Sequence, residues 1–92
     1  MKQEIAETAA IRALGWLVAR EDLVEVFLGS TGAGAEDLRA RAAEPEFLAS
    51  VLDFILMDDA WIMECATAIG MAPEQLVQLR QALPGGGLPN WT

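Results

Sequence analysis

The longest apolar stretch of the chain, residues 45–70, begins at a proline, ends at a glycine and carries two adjacent aspartates near its middle. On a helical wheel its first half has one broad apolar sector, made of Phe47, Leu48, Val51, Leu52, Phe54 and Ile55. A narrow opposite sector holds Glu46, Ser50, Asp53, Met57 and Glu64. An apolar sector this broad predicts a helix that is buried against more than one neighbour in a helical bundle.

Two adjacent aspartates, Asp58 and Asp59, interrupt this stretch. In an unbroken helix both carboxylates would point into the apolar sector, where burial of unpaired charges costs several kcal/mol, on the order of the whole stability of a small domain. We therefore expect a helix over 45–57, a corner at the two aspartates, and a second helix over 59–69 that ends at Gly70. One aspartate caps the second helix and the other lies in its first turn. With the neighbouring Trp61, this pair forms the candidate set for helix capping or partner contact.

Turn signals divide the rest of the chain into four further helices. The expected first helix spans 3–19, with an inward face of Ile5, Ala9, Leu14, Leu17 and Val18. The second follows the charged residues 20–22 and ends before Ser30, the third covers 35–43, and the last covers 73–83. The pattern predicts an all-α fold, a compact bundle of about six helices in a single domain, 1–85. A C-terminal tail, 86–92, contains Trp91.

A shift of 38 residues aligns the two halves of the chain without gaps. It places Leu14 on Leu52, Leu17 on Ile55, Val24 on Ile62, Gly32 on Gly70 and Leu38 on Leu76. Each half then reads as a long helix, a charged corner, a second helix, a glycine and a short helix. Two similar three-helix halves are one interpretation, and coincidence in an apolar chain is the other.

The run VLDFILMDDAW, followed by Gly70 and a Pro-Glu-Gln-Leu helix start, is similar to the bacterial proteins grouped as domain of unknown function 3572. The segments WLV, FLGSTG and ALPG extend the resemblance over about residues 10–85. The resemblance implies a short, all-helical cytoplasmic protein. That family has no established activity, so the resemblance implies no catalytic or binding residues.

The chain carries 14 acidic and 6 basic side chains and no histidine, for a net charge of −8. Binding to the phosphate backbone of a nucleic acid requires clustered Lys and Arg, and docking on anionic lipid requires the same. We therefore expect no nucleic-acid partner and no membrane partner. A protein partner with a basic surface is compatible with this charge.

The side chains available for chemistry are too few to predict catalysis. Cys65 is the only cysteine, and the chain has neither histidine nor tyrosine, so a cysteine or serine nucleophile lacks its usual general base. The acidic concentration around the corner comprises Asp53, Asp58, Asp59 and Glu64. These carboxylates lack the spacing of a calcium loop. Capping and solvation account for them, and we expect no catalytic, cofactor or metal site.

Residues 66–83 have the order of a helix-turn-helix, with Gln75, Gln78, Arg80 and Gln81 as candidate readers of DNA. One arginine in an acidic chain gives little attraction for DNA. A plain packing unit of two helices is the preferred interpretation.

Two functions remain from different classes: a non-enzymatic protein–protein interaction or adaptor module with a regulatory role, or a structural homodimer. The hydrophobic fraction of 53% exceeds the usual share of about 45–50%, which leaves apolar surface for either use. No apolar run approaches the ~20 residues of a membrane span. Charges interrupt the N-terminal segment, so it lacks the apolar core of a signal peptide, and the cytoplasm is the expected location.

The absence of histidine, of a second cysteine and of calcium-loop spacing gives a first prediction. Submillimolar Mg²⁺, Ca²⁺ or Zn²⁺ should leave the melting temperature unchanged, because a metal raises it only by binding the folded state. A thermal melt at increasing metal concentration measures this, and a concentration-dependent rise would contradict it.

Overall fold

The computed structural model describes residues 1–32 and 34–84, which contain six α-helices and no strand. The helices are α1 (Gln3–Ala19), α2 (Glu21–Thr31), α3 (Ala35–Arg41), α4 (Pro45–Ile55), α5 (Asp59–Ile69) and α6 (Pro73–Gln81). The predicted all-α bundle is confirmed. The predicted tail, with Trp91, lies outside the described residues. No helix in the described part of the chain is long and apolar enough to cross a membrane.

Helix α1 lies at the centre of the bundle and packs against α2, α4, α5 and α6. Its buried face is mostly alanine, and Ala6, Ala10 and Ala13 are completely buried. Alanine keeps side-chain volume low, which lets neighbouring helices approach closely. The sequence interpretation placed the centre of the fold in residues 45–70, but α1 shares that role.

The predicted inward face of α1 is wrong at two positions. Ile5 and Val18 are 57% and 45% exposed. The buried residues follow the helical repeat from Ala6 through Ala10 and Ala13 to Leu17, and Ile5 and Val18 lie beyond opposite edges of that stripe. Four alanines together with Leu14 and Leu17 therefore form the side of α1 that faces the core.

Helix α4 has the broad buried surface that its sequence predicts. All six residues of its apolar sector are buried, and the helix packs against α1, α5 and α6. Phe27 of α2 meets Phe47 and Phe54 of α4 edge to face, with ring centroids 5.8 and 5.4 Å apart. These aromatic contacts tie α2 to the core and add to the energy of apolar burial.

The chain turns between α4 and α5 at the two aspartates. Asp58 has extended backbone angles, and its Oδ1 accepts hydrogen bonds from the backbone N–H groups of Ala60 (2.8 Å) and Trp61 (3.3 Å). It is therefore the N-cap of α5, where free N–H groups need an acceptor. Asp59 lies in the first turn, at the positive end of the helix dipole.

Four helix ends differ from the predicted positions. Helix α2 continues through Thr31 and does not end before Ser30, since its left-handed cap is Gly32 (φ 75°) and not an earlier glycine. Helices α3, α4 and α6 each end two residues early, at Arg41, Ile55 and Gln81. After Ile55 and Gln81 the chain continues as a tightened turn, in which Met57 N–H bonds to Phe54 O and Leu83 N–H bonds to Arg80 O.

The 38-residue shift aligns helix ends as well as residues. It carries α2 onto α5, and the left-handed Gly32 onto the left-handed Gly70. It also carries the Asp37 side chain, which accepts from Gly34 N–H, onto that of Gln75, which accepts from Ala72 N–H. The packing does not repeat, because α6 packs against α1, α4 and α5 whereas α3 makes the sparsest contacts of the six helices.

The capping geometry predicts unequal effects for the two aspartates. Asp58→Ala should lose about 0.5–2 kcal/mol of stability, and Asp58→Asn should recover most of it because the amide oxygen still accepts from the helix N–H groups. Asp59→Ala should lose only about 0.3–1 kcal/mol, the contribution of a charge near the helix N-terminus. Thermal melts of the three variants test this, since 1 kcal/mol moves the melting temperature by about 4–8 °C in a domain of this size. Equal losses for the two alanine variants would contradict the assignment.

Candidate functional site

The corner residues have structural partners. Asp58 is occupied as the N-cap of α5. Trp61 is half-buried, and its ring stacks on Phe54 at a centroid distance of 4.9 Å. Asp59 is exposed, and Met57 is 78% exposed, the highest value among the large apolar residues of the described chain. The corner therefore presents one carboxylate and one thioether to solvent.

The other acidic residues near the corner are paired at separate places. Asp53 accepts two hydrogen bonds from Arg80, at 2.6 and 3.2 Å. Glu64 accepts one from Arg20 at 2.7 Å, and this contact raises the pKa of Arg20 above its usual value. In the described part of the chain, no three His, Cys, Asp or Glu side chains come together in a way that would hold a metal ion. The carboxylates predicted as a loose group thus do not converge.

The candidate DNA readers on α6 are partly used inside the molecule. Arg80 is held by Asp53 and also donates to the carbonyl oxygen of Pro84 at 3.1 Å. Only 18% of the Arg80 side chain is exposed. Gln75 accepts the N–H of Ala72 at the start of α6. Two of the four candidate readers are therefore engaged in holding α6 in place, and Arg80 is the only cation among them.

The outer face of α1 carries the largest group of exposed apolar side chains. Eight large hydrophobic residues are exposed in the described chain; Ile5, Ile11 and Val18 belong to α1, and Met1 lies two residues before its first residue. Together with Thr8, Arg12 and Gly15, these residues define the surface that we call the outer face. Sequence reasoning missed this face, although the alanine stripe on the opposite side of the helix was a usable signal.

Two open grooves run along the edges of the outer face. The Met71 groove, of about 530 Å³, is lined by Met1, Glu4, Ile5, Thr8, Ala9, Arg12, Met71 and Gln75. The α3 groove, of about 360 Å³, is lined by Ile11, Leu14, Gly15, Val18, Leu38, Arg39 and Ala42. A Cβ atom added at Gly15 would meet no atom within 4 Å, so the surface is open at that position. The outer face thus has exposed apolar side chains with the Met71 groove along one edge and the α3 groove along the other.

Cys65 is fully buried on α5 and belongs to the hydrophobic core. Removal of the thiol from water raises its pKa to about 11, because burial disfavours the charged thiolate. A nucleophilic cysteine needs the opposite shift and access to solvent. Cys65 therefore contributes packing, as its position on the apolar side of the predicted helix indicates.

Comparison with known proteins identifies one family. The family model described as protein of unknown function (DUF3572) matches residues 3–86. No curated protein and no solved structure matches the chain. The resemblance seen in the sequence is confirmed by the family match.

The raised pKa of Cys65 gives a prediction for alkaline pH. The folded state keeps the thiol protonated while the unfolded state loses the proton near pH 9, so stability should fall as pH rises from about 9 to 11. A two-unit shift corresponds to a loss on the order of 2–3 kcal/mol. The window is clear because the chain has no tyrosine and Lys2 is its only lysine. Urea unfolding across this range measures the slope. The control, Cys65→Ala, should show a flat profile at a lower overall stability, and an equal slope in both proteins would contradict the assignment.

Proposed function

Because the chain belongs to the family described as protein of unknown function (DUF3572), we propose a function from its own surface: a non-catalytic protein-interaction module that binds its partner on the outer face of α1. The observation that carries this proposal is the position of the exposed apolar side chains. Three of the eight lie on the outer face of a helix whose other side forms the centre of the core, and Met1 lies beside Ile5 in the Met71 groove. Exposed apolar side chains grouped on one side of a chain are typical of an interaction site.

The shape of the outer face fits an extended or helical segment. Ile11 and Val18 line one side of the α3 groove, and Leu38 and Ala42 line the other. Both walls are partly apolar, and Gly15 between them leaves space for close approach. An amphipathic helix that lies in such a groove uses its own apolar anchors at intervals of three and four residues, and the apolar residues of the two walls are available to contact them.

Features elsewhere on the molecule support binding without catalysis. The cysteine is buried, Asp58 caps a helix, Glu64 pairs with Arg20, and Asp53 holds the α6 arginine. Catalytic acids and bases need shifted pKa values in a concave site, and neither groove contains a histidine, a cysteine or a pair of carboxylates.

A second copy of the chain is the competing occupant of the same face. We propose a different protein as the occupant of the outer face, and the mass of a cross-linked adduct distinguishes it from a second copy.

Site-specific cross-linking tests the proposal with a matched control. A photoreactive amino acid replaces Val18 on the outer face or Val77 on α6, two valines with the same 45% exposure. Irradiation of cells that produce the protein should give a discrete adduct from position 18 and none from position 77. The added substitution Ile11→Gln should abolish the adduct, because it removes an apolar contact beside position 18. Equal labelling from both positions, or none from position 18, would disprove the proposal. An adduct at twice the 9.9 kDa mass of the chain would identify a homodimer.

A further inference from the structure

We infer that the segment bound on the outer face of α1 is apolar along its centre and acidic on its flanks, an amphipathic helix with Asp or Glu on both edges. This inference rests on the proposed function, and it adds the chemistry of the partner. It also reverses the expectation of a basic partner that follows from net charge alone.

The argument begins with the distribution of the six basic side chains. Three arginines are neutralised within the molecule: Arg20 by Glu64 at 2.7 Å, Arg41 by Glu44 at 3.4 Å, and Arg80 by Asp53 at 2.6 Å. Among the described residues, Arg12, Arg39 and Lys2 make no ion pair. Because the chain has 14 acidic residues, the positions of the cations that form no ion pair are informative.

Those locations coincide with the outer face. Arg12 lines the Met71 groove and Arg39 lines the α3 groove, on opposite sides of α1. Lys2 follows Met1, which also lines the Met71 groove. Glu4 is the one carboxylate among the residues that line the two grooves. The residues that line the two grooves therefore include two arginines and one carboxylate, whereas acidic side chains outnumber basic ones in the whole chain.

The charges in contact with a bound segment affect its binding free energy more than the net charge of the whole protein does. At physiological ionic strength the Debye length is about 8 Å, so distant surface carboxylates are largely screened while groups in contact are not. A helix that lies along the outer face has one arginine beside each flank. Carboxylates at its flanks complement those arginines, and lysines there would face like charge.

A display experiment tests the inference with the folded protein. A library of helical peptides with a fixed leucine face and randomised flanks is selected on the wild-type chain, with depletion on Ile11→Gln/Val18→Gln. Both substituted residues are exposed, and glutamine retains helix propensity, so a circular dichroism melt verifies that the variant is folded. The expected survivors carry an excess of Asp and Glu on both flanks.

Variants matched in net charge then assign the effect to the two arginines. Arg12→Gln/Arg39→Gln and Gln78→Glu/Gln81→Glu each lower the net charge by two, and Gln78 and Gln81 are exposed on α6. The arginine variant should bind the selected peptides about tenfold more weakly, since two exposed ion pairs are lost. The α6 variant should bind them like the wild type.

The outcomes separate the two proposals. Survivors with basic flanks, or equal binding by the two charge-matched variants, overturn the inference about the partner and leave the docking face intact. Survivors that bind the Ile11→Gln/Val18→Gln variant as well as the wild type, or a library without survivors, overturn the docking face itself.

Discussion

The packing of α1 against α4 is the contact on which the rest of the structure depends. It is the most extensive contact between two helices in the described chain. Helix α4 supplies large side chains, while α1 supplies alanines at Ala6, Ala10 and Ala13 that are completely buried. Large residues on one helix against small residues on the other are a combination that allows close packing. The same small face lets α2, α5 and α6 also reach α1, which makes the first helix the common support of the bundle.

This arrangement also determines which surface is left uncovered. Four alanines with Leu14 and Leu17 occupy the buried side of α1, and Ile5, Ile11 and Val18 lie about half exposed outside it. These three side chains therefore forgo part of the roughly 1.5–3 kcal/mol that full burial of such a side chain contributes. The apolar outer face is consistent with selection for a contact outside the chain.

Some charged side chains form contacts that stabilise the fold, and others form no ion pair within the chain. The Asp58 cap fixes the start of α5, and the Asp53–Arg80 pair joins α4 to α6. Arg41 pairs with Glu44 and lies 4.8 Å from the ring centroid of Phe47, so it serves packing as well as charge. Arg12 and Arg39, which form no ion pair, line the grooves beside α1. The residues that are prominent in the sequence, the adjacent aspartates, therefore belong to the folding of the chain more than to its surface chemistry.

The sequence by itself determined the number and type of the helices, the burial of α4, and the corner at Asp58, because helical periodicity and capping act between residues that are close along the chain. It also determined the order of elements in the two halves and the family. Only the tertiary structure decided which side of α1 faces inward, because its four neighbouring helices pack against the stripe that contains the alanines and leave Ile5 and Val18 exposed. Only the tertiary structure paired Arg80 with Asp53 and left Arg12 and Arg39 beside open grooves. Those outcomes depend on contacts between residues far apart in the chain, which local periodicity and composition do not encode.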